Sequence, residues 1–347
     1  MQPHDLRPRF AGCLLGGAVG DALGAAVEFM NLGDIRQRFG LRGIVTYAPI
    51  HGRMGAITDD TQMTLFTAEG LIRAASAHRE GAPADPVRVL HRAYLRWLHT
   101  QGERSAHPDY DDAIDGWLVR SPEMHTRRAP GNTCLSALGL PHAGTVEHAI
   151  NDSKGCGGVM RVAPIGLWGH DPWDLGCRSC ALTHGHPLGW RSGGYLAVVI
   201  AYLVAGASIG EAVTDAFRQL QPLLGPELEA ILGRAIALGQ TGNVTAEAIE
   251  SLGQGWVAEE AVAIGVTCAL GARDFDHGIR LAVNHSGDSD STGSITGNLL
   301  GTAWGIDTIA RTWLDPLELA SEITEVADDL ASAHAGGPID PIRYPPR

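Results

Sequence analysis

Two short acidic segments carry the side chains best suited to chemistry. The first, GAITDDTQMT (residues 55–64), sets Thr58, Asp59 and Asp60 side by side. The second, HSGDSDSTGS (residues 285–294), sets Asp288, Asp290 and Ser291 among further hydroxyls with no aliphatic side chain. Taken alone, each reads as a helix start, because Asp, Ser and Thr are favoured N-caps and negative charge is favourable at a helix N-terminus. A cap, however, needs a single side-chain oxygen, and these segments supply several. If the two converge, four carboxylates share a small volume and cannot all stay ionised without positive charge beside them. Neither segment contains Lys or Arg. Hard cations satisfy an oxygen-only donor set, and this many carboxylates suits a pair of Mg2+ or Mn2+ ions.

Helices are expected to position these residues. PVRVLHRAYLRWLHT repeats apolar residues at Leu90, Tyr94, Trp97 and Leu98, with Pro86 suited to the first turn. A helix beginning near Asp60 can gather Met63, Phe66, Leu71 and Ala75 on one broad face. Further helices are predicted over 226–238, 259–270 and 316–332. The apolar run 195–207 reads as a buried helix, too short to span a bilayer. GIVTY (43–47) is the sole short strand candidate. No repeat or linker interrupts the chain. The expected architecture is one all-α domain, a compact helical bundle over 1–347 with its core at 9–332.

Many of the 45 glycines fall inside helical patterns, in GCLLGGAVGDALGAAVEF (12–29) and GSITGNLLGTAWG (293–305). Each costs about 1 kcal/mol against alanine in a helix interior. Their spacing lets helix backbones approach closely, and it can also draw two polar helix ends together beneath a site. Asp21, Glu28 and Asn298 exclude a transmembrane reading of these segments.

Composition bounds the partners. With 347 residues, 44% hydrophobic and 19% charged, the chain is globular. A net charge of −13 argues against nucleic acid or anionic membrane as a partner. The start, MQPHDLRPRF, lacks a signal-type apolar run. Six cysteines, with only one C-x-x-C (Cys177 and Cys180), suggest free thiols. A cytoplasmic monomer is the expectation.

Several ordered segments together resemble the ADP-ribosylglycohydrolase (DraG-like) family, which includes a crystallin relative. They are GCLLGGAVGDALGAAVEF, GAITDDTQMT, RAPGNTCLSAL, KGCGGVMRVAPIG, LTHGHP, GWVAEEAVAIGV and AVNHSGDSDSTGSITGNLLGTAWG, running from Arg9 to Gly305. The resemblance implies an all-α orthogonal bundle with two Mg2+ or Mn2+ ions at the base of a cleft. It implies that Thr58, Asp59 and Asp60 bind mainly one metal and Asp288, Asp290 and Ser291 mainly the other, with Asp290 bridging. Ser291 stands where many relatives have threonine, and Ser286-Gly287 where many have Gly-Gly; the hydroxyl ligand survives.

The resemblance also matches Glu28 to an acidic residue near the metals, so that Glu28, Asp60 and Asp290 are the expected catalytic residues. Asp21 reads as a brace for the glycine-rich helices. Two glycine-rich loops, APGNT (129–133) and SKGCGG (153–158), precede predicted helices. Each alone reads equally as a plain turn or as a diphosphate cradle. The resemblance tips both towards the diphosphate and ribose of ADP-ribose, with Gly131, Asn132, Thr133, Gly155, Gly157 and His184 as contacts. His186 and His285 read as structural, and 101–128 as a loop facing the acceptor.

The implied activity is hydrolysis of the C1″ glycosidic bond of an ADP-ribosylated protein or small-molecule adduct, ADP-ribosylarginine first. Serine adducts and O-acetyl-ADP-ribose are alternatives. A two-metal hydrolase of the diphosphate and a non-catalytic, crystallin-like protein are rival readings.

Overall fold

The computed structural model describes residues 6–81 and 85–346, and among them there is no β-strand, only two isolated bridges. The chain folds as helices, as its apolar periodicity requires. Ten of them carry the argument: α1 (Arg7–Gly24), α2 (Asp59–Arg79), α3 (Pro86–Thr100), α4 (Asn132–Leu138), α5 (Pro187–Val204), α6 (Pro226–Gln240), α7 (Ala258–Gly271), α8 (Phe275–Val283), α9 (Ser289–Trp304) and α10 (Ala320–His334). One contiguous core runs from Phe10 to Tyr344. No described helix is long and apolar enough to cross a membrane.

The central pair, α1 and α9, packs antiparallel along a glycine seam. Gly12, Gly16 and Gly20 face Gly301, Gly297 and Gly293, and a Cβ on Gly16 would lie 2.5 Å from the Gly297 carbonyl oxygen. Backbones this close leave no room for any side chain between them. Asn298 uses the gap over Gly17 to donate from Nδ2 to the Cys13 carbonyl at 2.8 Å. At the end of the seam, a Cβ on Gly24 would sit 2.5 Å from the Asp290 nitrogen. The antiparallel register therefore sets the C-terminal end of α1, and Glu28 in the turn beyond it, beside the N-terminal end of α9. Both readings of the glycines hold: they pack the helices, and they draw two polar ends together.

Three expectations need correction. Asp21 does not brace the glycine helices to each other. Its carboxylate accepts from the Thr58 and Thr61 backbone nitrogens at 3.0–3.1 Å and from the Thr61 hydroxyl, docking the start of α2 onto α1. GIVTY forms no strand, because a side chain takes the place of a partner strand. Asn284 Oδ1 accepts from Ile44 N at 2.7 Å and Nδ2 donates to Ile44 O at 2.9 Å. The C-terminal helix begins at Ala320 rather than Pro316, since Leu319 is left-handed (φ 60°) and Glu318 is drawn inward to Arg128 and Ile57.

Candidate functional site

The two acidic segments converge. Thr58 is the N-cap of α2, its hydroxyl accepting from Asp60 N at 3.3 Å, so one oxygen performs the capping and both aspartates are left over. Asp288 occupies the N-cap position of α9 but makes no side-chain capping bond. Gly287 (φ 121°) permits the turn: a Cβ there would meet the Gln254 backbone, whose carbonyl accepts from Asp288 N at 2.8 Å. Ser286 is tied by its hydroxyl to Glu250 at 2.6 Å.

A cleft of about 370 Å³ is lined by Glu28, Asp59, Asp60, Asp288, Asp290 and Ser291 on one side. Gly131, Gly155 and Gly157, with Asn132, Thr133 and His184, form another part of its wall. Thr58 lies just behind, buried at the start of α2. The four aspartates are 3–5% exposed. Glu28, Asp288 and Asp290 each offer an oxygen within 4.8 Å of the other two, a set able to hold a metal ion. Asp60 Oδ1 and Asp288 Oδ2 are buried with no hydrogen-bond partner. No Lys or Arg is among the lining residues. Burial raises all four aspartates, and repulsion from neighbouring carboxylates raises Asp59, Asp60 and Asp288 further, well above the ordinary range. Burial, followed by Asp290, Asp288, Asp59 and Asp21, pushes Glu28 up to about 10. Such a cluster holds protons or attracts a cation. Its donor set, mostly hard oxygen, fits Mg2+ or Mn2+.

The loops are fastened to this cluster. Gly131 N donates to Asp59 Oδ2 at 3.1 Å, and Asp59 N donates to Arg128 O at 3.2 Å. Between them Ala129 is held at φ 52°, strained for a residue with a side chain. Arg128 turns its guanidinium away from the cleft to Glu318 at 2.9 Å. The second loop is pinned by Cys156 N to Trp256 O at 3.2 Å and by Ala258 N to Lys154 O at 2.8 Å.

His184 is buried, and burial followed by the nearby Arg161 lowers it to about 3, so the imidazole is neutral. Arg161 Nη2 donates to Thr183 Oγ1 at 2.7 Å, and that hydroxyl lies 2.8 Å from His184 Nδ1. The other ring nitrogen, Nε2, lies beside Gly155 and Gly157. His186 caps α5, accepting from Leu188 N at 3.1 Å, and His285 bonds Thr292 at 2.9 Å; neither lines the cleft.

Residues 101–128 do not line the cleft; the first residue after them that does is Ala129. They form short turns, among them Tyr110–Ala113, packed on α3 through contacts such as Arg88 to Asp109 at 2.9 Å. Sequence reasoning missed Phe29, Cys156, Met160 and Trp256, which do line it. Phe29 and Trp256 stack at its mouth with ring centroids 5.7 Å apart, and Phe29 is 75% exposed. All four stand inside the motif segments or directly beside them, and attention to glycines and carboxylates passed over them.

An all-α bundle with a deep carboxylate cluster at facing helix ends defines a class, and comparison with known proteins specifies it. The family model for ADP-ribosylglycohydrolase matches residues 2–338, and the chain belongs to that family. It is 27% identical to the ADP-ribosyl-[dinitrogen reductase] glycohydrolase of Rhodospirillum rubrum, covering 92% of each chain. It is 26% identical to the ADP-ribosylarginine hydrolase Tri1 of Serratia proteamaculans, covering 92% of this chain and 78% of that one. The human ADP-ribosylhydrolase ARH3 is 25% identical over 93% of this chain and 92% of its own. A solved structure described as an ADP-ribosylglycohydrolase-related protein complex superposes with a TM-score of 0.68 at 26% identity, covering 95% of this chain and 99% of that one.

Proposed function

We propose that this chain is a divalent-cation-dependent hydrolase cleaving the C1″ glycosidic bond of ADP-ribosylated substrates. Its first substrate is ADP-ribosylarginine on protein, and its product is ADP-ribose. The observation that carries this reading is the pair of orphaned, buried carboxylate oxygens on Asp60 and Asp288, facing one cleft that holds no side-chain cation. The activities named for the Rhodospirillum and Serratia relatives support the choice of bond and of arginine.

In this reading Thr58, Asp59 and Asp60 would hold one ion, and Asp288, Asp290 and Ser291 the other. When bound, Mg2+ or Mn2+ supplies Lewis acidity towards ribose hydroxyls and lowers the pKa of a water molecule. Glu28 holds and moves a proton at its carboxyl, whose proton affinity burial raises. The anionic shell stabilises positive charge developing on the ribose as the C1″ bond breaks. Gly131, Asn132, Thr133, Gly155 and Gly157 line the diphosphate's path, and His184 presents Nε2 there without adding a charge.

The test is product analysis with an ADP-ribosylarginine peptide and Mg2+ or Mn2+, with and without a chelator. Intact ADP-ribose, released only with the cation, is expected. AMP with ribose phosphate, or turnover undiminished by the chelator, overturns the reading.

A further inference from the structure

Arg161 is a buried charge that meets no opposite charge. Among the described residues four arginines are buried, and three are matched: Arg73 and Arg96 by Glu69, Arg128 by Glu318. Arg161 ends the short helical turn Cys156–Arg161, is fully buried and touches only neutral groups. Nη2 donates to Thr183 Oγ1 at 2.7 Å and to Ser179 O at 3.4 Å, and Nη1 lies 3.6 Å from both Met63 Sδ and Cys134 Sγ. Its guanidinium carbon is 4.0 Å from the Tyr94 ring centroid, and Nε is buried with no partner. Sulfur is a weak acceptor, and a ring face offsets only part of what a guanidinium loses on leaving water.

This cation stands one side chain behind the cleft. Cys134, which it touches, lines the cleft, and Thr183 leads to a second lining residue, with Oγ1 2.8 Å from His184 Nδ1. The second glycine loop lies flat on both. A Cβ on Gly157 would sit 2.8 Å from Cys134 Sγ and 3.1 Å from His184 Cε1, and one on Gly155 would sit 3.4 Å from His184 Nε2. Lys154 of the same loop is taken by Glu259, and His184 is neutral, so neither offers the loop a free positive charge. A buried charge is screened little by water, and its field reaches an anion lying on the loop. We infer that Arg161 is a positioning residue for the anionic diphosphate of a nucleoside-diphosphate sugar, its charge holding that group against the Gly155–Gly157 loop through Cys134 and the Thr183–His184 pair. The inference rests on the ADP-ribosyl reading of the cleft and adds to it the charge that fixes the diphosphate. The orphaned carboxylates draw cations to one part of the cleft, and Arg161 draws phosphates to another.

The experiment follows hydrolysis of an ADP-ribosylarginine peptide by the full-length protein with saturating Mg2+ or Mn2+, and calorimetric binding of ADP-ribose and of Mn2+. Arg161→Met replaces the unmatched charge with an apolar chain, a change that buried ionic sites often tolerate. KM and the dissociation constant for ADP-ribose are expected to rise about tenfold, with kcat changing much less and Mn2+ bound no more weakly. Arg161→Lys, which keeps the charge, recovers most of the loss. Thr183→Val removes the hydroxyl between Arg161 and His184, raises KM about threefold and serves as the test where Arg161→Met does not fold. ADP-ribose affinity within about twofold of the wild type in folded Arg161→Met, or failing that in Thr183→Val, overturns the inference alone. An equal loss of Mn2+ and ADP-ribose affinity, unrelieved in Arg161→Lys, also overturns it, because the arginine is then structural. Wild-type protein that binds no ADP-ribose with the cation present overturns the reading of the cleft as well.

Discussion

Two groups of buried carboxylates lie along α2, and they are treated in opposite ways. Glu69, fully buried, is matched by Arg73 at 3.0 Å and Arg96 at 2.8 Å, and Arg73 also reaches Asp115 at 2.6 Å. One helix start away, Asp59 and Asp60 meet Asp288 and Asp290 with no arginine or lysine lining the space between them. The first group is neutralised by the protein's own side chains and ties α2 to α3. The second is left for something the chain does not encode. The lesson is that burial of a carboxylate does not mark a site; burial without a side-chain counter-charge does.

The largest expected effect is on turnover. Asp60→Asn lowers ADP-ribose release about a thousandfold or more, an oxygen donor at the reacting centre being lost. The metal-free variant melts no lower than the wild type, because one repulsive buried charge has gone. A metal-free variant that melts well below the wild type breaks the contrast, since Asp60 is then a structural residue like Glu69. Glu69→Ala is the converse: chemical denaturation finds it less stable by about 3–5 kcal/mol, with Arg96 left uncompensated and Arg73 keeping only Asp115. Its calorimetric affinity for Mn2+ is unchanged where the variant is folded.

Cation binding separates the two groups directly. Mn2+ at about a hundred times its dissociation constant stabilises the wild type by about 2.7 kcal/mol in thermal melts and has little effect on Asp60→Asn. The smallest effect tests how the glycine seam delivers the second group. Gly297→Ala forces a methyl against the Gly16 carbonyl, costing about 1–3 kcal/mol of stability. It also weakens Mn2+ binding, since α1 and α9 must part at the end that carries Glu28 and Asp290. A variant that destabilises with unaltered Mn2+ affinity separates the seam from the site.

The chemistry was legible in the chain because it rests on residue type and short spacing. Thr58, Asp59 and Asp60 in one turn and Asp288, Asp290 and Ser291 in another are local facts, and so are the helical periodicities around them. Convergence was legible only as a conditional: charge without counter-charge implies a cation if the segments meet. What the tertiary structure alone decided depends on distance between residues far apart in sequence. The register of Gly16 on Gly297 fixes which carboxylates touch, the turn of Arg128 towards Glu318 leaves the cleft without a cation, and Asn284 keeps residues 43–47 from becoming a strand. Each follows from steric fit and hydrogen-bond geometry across more than a hundred residues of chain. A linear pattern holds the donors and acceptors for such choices but not the distances that select among them.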